Sequence, residues 1–283
     1  MTTPAPAPHQ PPQQQQPSYY VSPIPVTSAH LGHAVASEWT KIRSVRSTMW
    51  TLGVLIVLVV GIGLVIAIAV DSSGSSLAGT PLLSMGFFGV LLGSMCVITL
   101  GVLTVASEYG TGMIRTTLTA CPSRARVLAA KALVFFLLAF AILLVTTTLV
   151  AVFQYGLLKG SGSRDPSGGE WFRATVGVSL YVALLGLLSL AIGSLVRHSA
   201  GAITVMLGVV LLPLVLALFM FSDSLHTVQE KLFEYSIPNQ LSAFYNTSVS
   251  ESGPTGWQPL WILLGVTAVV YGGAVAALNS RDV

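Results

Sequence analysis

The sequence predicts an all-α integral membrane protein, because it carries few charges, contains several long uncharged runs and distributes its cations unevenly between them. Of its 283 residues, 53% are hydrophobic and only 8% are charged, whereas a soluble domain carries about 25% charged residues. So small a charged fraction cannot cover a water-facing surface. The length suits one membrane domain of a few helices.

Six uncharged runs are each long enough to cross a bilayer, which takes about 20 residues of helix. They cover approximately residues 50–70, 82–106, 132–154, 174–196, 202–221 and 257–278. Their continuous apolarity excludes an outer-membrane barrel, in which apolar and polar residues alternate along each strand. We therefore expect six transmembrane helices.

The distribution of Lys and Arg predicts that both termini lie in the cytoplasm. If the N terminus is inside, the inner loops hold nine cations: Lys41, Arg43, Arg46, Arg115, Arg124, Arg126, Lys131, Arg197 and Arg281. The outer loops then hold four: Lys159, Arg164, Arg173 and Lys231. Cation-rich loops stay on the cytoplasmic side, so this orientation is the favoured one.

The first 27 residues form a Pro- and Gln-rich stretch. Such a composition cannot bury a core, which predicts a disordered cytoplasmic tail. Residues 28–283 then form a single transmembrane domain.

An amphipathic helix lying on the inner membrane surface is expected over residues 28–49. Apolar residues recur there at spacings of three or four, as on one face of a helix: Leu31, Val35, Trp39, Ile42, Val45 and Met49. Lys41 and Arg43 flank this stripe, and Trp39 suits the lipid head-group layer.

Glu38 falls within the same apolar stripe, where a carboxylate is costly unless it is paired. Two arrangements satisfy it. Glu38 extends to water or pairs with Lys41 on its own helix, or it forms a salt bridge to another cytoplasmic element, such as Arg115.

The spans lack the side chains on which several classes of membrane protein depend. No Lys, Arg, Asp, Glu or His lies well inside any of them, which argues against ion-coupled carriers and intramembrane proteases. The chain has no G-x-x-x-x-G-K-[ST] phosphate loop, and its two cysteines cannot form a zinc site without neighbouring histidines. We expect no catalytic residue, metal or bound cofactor, and no ATPase motif of its own.

A short helix is predicted between the second and third spans. Gly110 and Gly112 break the second span, and residues 113–120 then form about two turns, in which Met113, Ile114 and Leu118 make a small apolar face. Pro122 ends this helix, and Ser123 can cap the next one. A short helix held between two long spans suits a coupling element that sits in a groove of a soluble ATPase.

Several segments resemble the membrane subunits of ABC-2 type exporters, particularly those of actinobacteria. They are SEWTKIRSVRSTMW at 37–50, SEYGTGMIRTTLTACPSRARVLAAK at 107–131, LAIGSLVRHSAGAITVMLGVVLLPLVL at 190–216 and Pro238-Asn239-Gln240. The resemblance implies a permease of the bacterial cytoplasmic membrane that pairs with a second permease subunit. It also implies separate cytoplasmic ABC ATPase subunits, which bind ATP and Mg. Membrane lipids surround such a subunit, and no nucleic acid is expected.

The resemblance also implies roles for individual residues. The coupling region corresponds to Glu108, Tyr109, Gly110, Thr111, Gly112 and Arg115, and the interfacial helix contains Glu38, Trp39, Lys41 and Arg43. For Glu108, an intramolecular salt bridge and a direct contact with the ATPase both remain open. Two other functions remain as alternatives: a non-transporting membrane anchor or sensor subunit, and an ion-coupled carrier.

Overall fold

The structure, a computed structural model, describes residues 30–74, 79–121, 123–160, 163–220, 222–247 and 253–280. Within these ranges the chain contains eleven α-helices and no strand. They are α1 (Leu31–Ser44), α2 (Arg46–Ser73), α3 (Phe87–Thr111), α4 (Met113–Ala120), α5 (Arg124–Leu158), α6 (Gly168–Phe172), α7 (Val178–Val196), α8 (Ser199–Leu218), α9 (His226–Tyr235), α10 (Ile237–Ser242) and α11 (Gln258–Ser280). The predicted tail of residues 1–27 lies outside the described residues.

Among the described residues, six helical segments are long and apolar enough to cross a membrane, the number that the sequence predicts, and they fit a multi-pass membrane protein. They are Arg46–Ser73, Leu82–Thr111, Arg124–Leu158, Gly168–Val196, Ser199–Leu218 and Gln258–Ser280. Several of these helices extend beyond the ends of the uncharged sequence segments. Glu108 therefore belongs to the long helix α3, and Lys131 belongs to α5.

The centre of the bundle is α7, which packs against α3, α5, α8 and α11. Glycines allow the closest of these approaches. A Cβ atom on Gly101 would overlap the Ser189 hydroxyl and the Gly186 carbonyl. The crossing of α2 and α3 also depends on a glycine, because a Cβ on Gly89 would lie 2.8 Å from the carbonyl oxygen of Val59. Small residues thus bring the backbones together, as is common between membrane helices.

The two ends of the bundle differ in structure. At one end lie α1, α4 and the last turns of α7 and α11; we call this the α4 end. At the other end, α9 packs along α8, and the chain then enters the bundle over Ile237–Tyr245, where every residue is buried. Pro238 lies in the first turn of α10, a position that tolerates proline because its backbone needs no amide donor there.

Candidate functional site

A closed ring of four charged side chains lies at the α4 end and joins three helices. Lys41 Nζ on α1 lies 2.9 Å from Glu38 Oε1 and 2.8 Å from Glu108 Oε1 on α3. Lys131 Nζ on α5 lies 2.8 Å from Glu38 Oε2 and 2.6 Å from Glu108 Oε1. Each lysine therefore bridges the same two carboxylates, and the ring is neutral as a whole. We call these four residues the ion cluster.

The ion cluster is buried except on one side. Lys131, Glu38 and Glu108 are 2%, 4% and 6% exposed, whereas the Lys41 side chain is 28% exposed. Burying charges is costly unless they are paired and hydrogen-bonded. A ring in which each lysine contacts two carboxylates meets that requirement, so these contacts hold α1, α3 and α5 in one register.

Helical periodicity explains how the charges reach the interior. On α5, the buried positions Val127, Lys131 and Phe135 are four residues apart, so they share one helix face. On α3, Glu108 follows the buried Val105 at a spacing of three. Both charged residues thus lie in phase with the apolar stripes that face the neighbouring helices.

The ion cluster resolves the two open questions about its carboxylates. Glu38 pairs with Lys41, as one alternative predicted, and also with Lys131, which the sequence had not placed near it. Arg115 is exposed on α4 and is not the partner. Glu108 forms intramolecular salt bridges to both lysines. Its predicted contact with a partner protein would therefore be indirect in this conformation.

The local electrostatics favour the charged form of Lys41. Burial by itself lowers its pKa, but the hydrogen bonds to Glu108 and Glu38 raise it, and the net pKa lies above the ordinary value of 10.5.

One oxygen of the ion cluster has a different environment. Glu108 Oε2 is buried and has no hydrogen-bond partner among the residues that the structure describes.

The helix α4 continues directly from α3 through a sharp turn at Gly112. This residue has φ of 73°, in the left-handed region that glycine adopts without strain. Gly110 remains inside α3, so only Gly112 ends that helix. Pro122 lies outside the described residues. Ser123 occupies the N-cap position of α5, as predicted, but its side chain makes no capping hydrogen bond.

One face of α4 packs against the bundle, and the other is open. Ile114 is 7% exposed and Leu118 is half-buried, whereas Met113 is 47% exposed. The open face comprises Thr111 and Gly112 at the turn together with Met113, Arg115, Thr116, Thr119 and Ala120. The packed face of α4 contacts the ion cluster, because Lys41 Nζ donates a 3.4 Å hydrogen bond to Thr117 Oγ1. Of the three residues of the predicted apolar face, Ile114 and Leu118 thus face the bundle, whereas Met113 faces the exterior.

Two further contacts tie the α4 end together. The Arg197 guanidinium lies over the Tyr109 ring, 5.1 Å from its centroid, which links the end of α7 to α3 by a cation–π contact. Arg124 Nη1 donates a 2.7 Å hydrogen bond to the carbonyl of Leu278, which links the start of α5 to α11. Two of the nine cations that the sequence analysis assigned to the inner side, Arg197 and Arg124, thus form specific contacts between helices.

The helix α1 lies against the bundle by the side that carries Glu38 and the buried Ile42. Its other apolar side chains are largely open: Leu31 and Trp39 are each 46% exposed. Arg43 is also exposed. The helix is shorter than the predicted 28–49, because the chain bends at Val45 and α2 begins at Arg46.

Two clefts flank the ion cluster. One has a volume of about 320 Å³ and lies between α1, α4 and the start of α5, with His33, Ser37, Thr117 and Cys121 in its wall. The second has a volume of about 290 Å³ and lies between α1–α2 and α3. Within the described ranges, no group of three or more His, Cys, Asp or Glu side chains is arranged to hold a metal ion.

In comparisons with known proteins, no family model and no curated protein matches the chain. The geometry of the α4 end, together with the residues at 37–50 and 107–131, is therefore the basis on which a function can be proposed.

Proposed function

We propose that the chain is the membrane permease subunit of an ABC-2 type exporter. In this proposal it has no ATPase motif of its own and moves substrate by coupling to a separate ATP-binding subunit. The observation that carries the proposal is α4: a two-turn helix held between two long membrane helices, with one face packed on the bundle and one face open. Its position is that expected of a coupling helix.

The connections of α4 suit it to transmit a force. Gly112 alone separates the end of α3 from the start of α4, so the connection between the two helices is short. The contact between Thr117 and Lys41 joins α4 to the ion cluster. Because that cluster also contains Glu108 of α3 and Lys131 of α5, movement of α4 would shift α1, α3 and α5 together. Coupled displacement of several helices is what alternating access requires.

The open face of α4 is the docking surface in this proposal. Its Arg115 and Met113 supply one charge and one apolar contact, surrounded by threonine hydroxyls. The exposed Leu31 and Trp39 of α1 would lie in the inner leaflet beside it, which makes α1 an interfacial helix. With the cation-rich α4 end inside, both termini are cytoplasmic and the membrane is the bacterial cytoplasmic membrane.

A complete transporter would contain two permease subunits, either two copies of this chain or this chain with a relative, and two ATPase subunits that carry ATP and Mg. The cargo would be amphipathic or hydrophobic, because the central parts of the spans carry no charge.

The ion cluster favours a second candidate, an ion-coupled carrier. Ionisable groups buried among membrane helices often mark an ion pathway, and Glu108 and Lys131 are such groups. A carrier would move its substrate with a proton or sodium gradient and without ATP. A non-transporting anchor, the third alternative, would bind an ATPase without changing its turnover.

Gentle purification from the native membrane separates these functions. We expect a soluble ATPase with a phosphate-loop motif to accompany the chain, and its ATP turnover to change when the chain is present. Unchanged turnover would indicate an anchor. Gradient-driven transport by the chain alone in proteoliposomes, with no ATPase bound, would contradict the proposal.

A further inference from the structure

The helix α1 has little apolar attachment to the bundle. Of its 14 residues, Glu38 and Ile42 are the two that are buried, so Ile42 is its single buried apolar side chain. A helix that packs on a core usually does so with a broad apolar stripe. The attachment of α1 to the bundle therefore depends mainly on the ion cluster.

A single residue connects α1 to α2. Val45 is 45% exposed and has an extended backbone, with φ of −83° and ψ of 111°. It is the cap residue of both helices, since α1 ends at Ser44 and α2 begins at Arg46. A residue at the end of a helix can act as a hinge by absorbing a change in φ and ψ, and Val45 occupies such a position.

Open space borders α1 on both sides. The cleft of about 320 Å³ lies between α1 and α4, and the cleft of about 290 Å³ lies between α1–α2 and α3. Glu38 and Lys41 line both clefts. Side chains at a tightly packed helix contact leave few voids. A helix with open volume on both flanks can move without first displacing its neighbours.

The charges of the ion cluster are divided so that α1 can separate without leaving any of them unpaired. Two contacts do not involve the junction with α1: Glu38–Lys41 within α1, at 2.9 Å, and Glu108–Lys131 between α3 and α5, at 2.6 Å. The contacts that cross the junction are Lys41–Glu108 and Lys131–Glu38, both at 2.8 Å, with the hydrogen bond from Lys41 to Thr117. Breaking these leaves two neutral pairs. An unpaired buried charge is the main cost of breaking a buried salt bridge, and this division avoids it.

We propose that α1 is a hinged helix with two positions. In the docked position, which the structure shows, the ion cluster is closed and α1 moves with α3 and α5. In the released position α1 turns about Val45 and carries the Glu38–Lys41 pair with it. The Glu108–Lys131 pair remains and continues to join α3 to α5. This proposal does not depend on the transport function, because the position of α1 is measured on the full chain without an ATPase.

Release is measured as the access of a water-soluble maleimide to Ile42→Cys, with the protein in nanodiscs and Cys96 and Cys121 replaced by alanine. The control is Ala106→Cys, at a position that is 2% exposed. Ala106 lies one helical turn after Val102, which packs against Gly193 of α7, so it shares the face of α3 that is directed towards α7. This control becomes accessible when the bundle itself opens.

Each labelling rate is divided by that of the same variant unfolded in sodium dodecyl sulfate. We expect Ile42→Cys to react at least about tenfold faster than Ala106→Cys, as for a helix that opens locally while the rest of the fold stays closed. Equal rates, or no labelling at either position, would overturn the proposal, because α1 would then separate only when the bundle unfolds.

Exchanging the two charges of α1 tests the division of the ion cluster. Glu38→Lys with Lys41→Glu keeps a pair within α1 but places like charges opposite Lys131 and Glu108. Labelling of Ile42→Cys should rise about tenfold or more, and labelling of Ala106→Cys should not change, because the Glu108–Lys131 pair is intact. Adding Glu108→Lys and Lys131→Glu restores opposite charges at every contact and should return the rate at Ile42→Cys towards that of the starting protein.

The double exchange decides the proposal even if the fourfold variant does not fold. An unchanged rate at Ile42→Cys would show that these contacts do not hold α1 in place. An equal rise at Ala106→Cys, or a double exchange that does not fold, would show that α1 cannot leave an intact bundle. Each of these results contradicts the proposal, as does a folded fourfold variant in which the rate at Ile42→Cys stays high.

Discussion

Removal of Lys131 from the ion cluster should destabilise the protein far more than removal of an exposed cation. Lys131→Met deletes two contacts, of 2.6 and 2.8 Å, from a side chain that is only 2% exposed. Glu38 and Glu108 then share Lys41 alone, and one negative charge is left uncompensated in the interior. Breaking a buried ion pair in this way costs about 3–5 kcal/mol, and we expect a loss in that range.

A matched exposed cation provides the control. Arg164 pairs with Glu170 at the opposite end of the bundle, but its side chain is 72% exposed. An exposed pair contributes no more than about 1 kcal/mol, so Arg164→Met should cost less than that. Both losses are measured by unfolding with sodium dodecyl sulfate in mixed micelles, monitored by tryptophan fluorescence.

A second change separates charge from packing. Adding Glu38→Gln to Lys131→Met restores neutrality, with Lys41 facing Glu108 alone. The double variant should therefore be more stable than Lys131→Met, and the coupling energy between the two substitutions should be about 0.5–3 kcal/mol, the usual range for contacting residues. If Lys131→Met lies within about 1 kcal/mol of the wild type, or if Glu38→Gln adds further loss, the ion cluster is not the interaction that holds these helices.

Three further predictions concern other residues. Gly101→Val should lower stability by about 1–3 kcal/mol or more through overpacking against α7. Gly208→Val, where a Cβ has open space, should have little effect in the same unfolding assay. Gly112→Ala places a side chain at positive φ and should cost about 1–2 kcal/mol, whereas Gly110→Ala, inside a helix, should cost nothing; the melting temperatures of the two variants test this. The folded pKa of Lys41 lies above 10.5. Its stabilising contribution is therefore fully present below pH 10.5 and is lost as the pH rises through the folded pKa. The stability difference between wild type and Lys41→Met should stay constant from about pH 7 to 10 and shrink above that range.

The number of candidate spans was predictable from the sequence because it depends on one-dimensional properties, length and apolarity. A run of some twenty uncharged residues has few alternatives to a membrane helix, and α2, α5 and α11 all arise from such runs. The ends of the helices were less predictable. Charged residues such as Lys131 and Glu108 delimited the uncharged runs, but neither residue breaks a helix, and α5 and α3 continue through them.

The ion cluster was only partly predictable. The sequence identified Glu38 as a carboxylate within an apolar stripe and offered Lys41 as a partner. It did not bring Lys131 to the same place, because the relative rotation of α1, α3 and α5 is a tertiary property. A signal was nevertheless present: Lys131 lies in phase with Val127 and Phe135, so a cation fell on a face that must be buried. Glu108 lies in phase with the buried Val105 in the same way. The same test would therefore have placed Glu108 on a buried face and offered it as a partner for Lys131.

The turn before α4 shows how local context decides between equivalent residues. Gly110 and Gly112 looked alike in the sequence as helix breakers. The helix α3 retains Gly110 and ends at Gly112, which alone takes the left-handed conformation. A glycine permits a turn without requiring one, and the turn at Gly112 is followed by Ile114, which is buried against the bundle.

The central claim, that the open face of α4 receives an ATPase, is tested most directly by reversing one charge on that face. Arg115→Glu is compared with Arg164→Glu, an exposed arginine at the other end of the bundle, after gentle extraction of each protein at native expression. We predict that the ATPase accompanies the wild type and Arg164→Glu, and that its yield falls several-fold with a folded Arg115→Glu. Equal recovery of the ATPase with both variants would contradict a docking role for this face of α4.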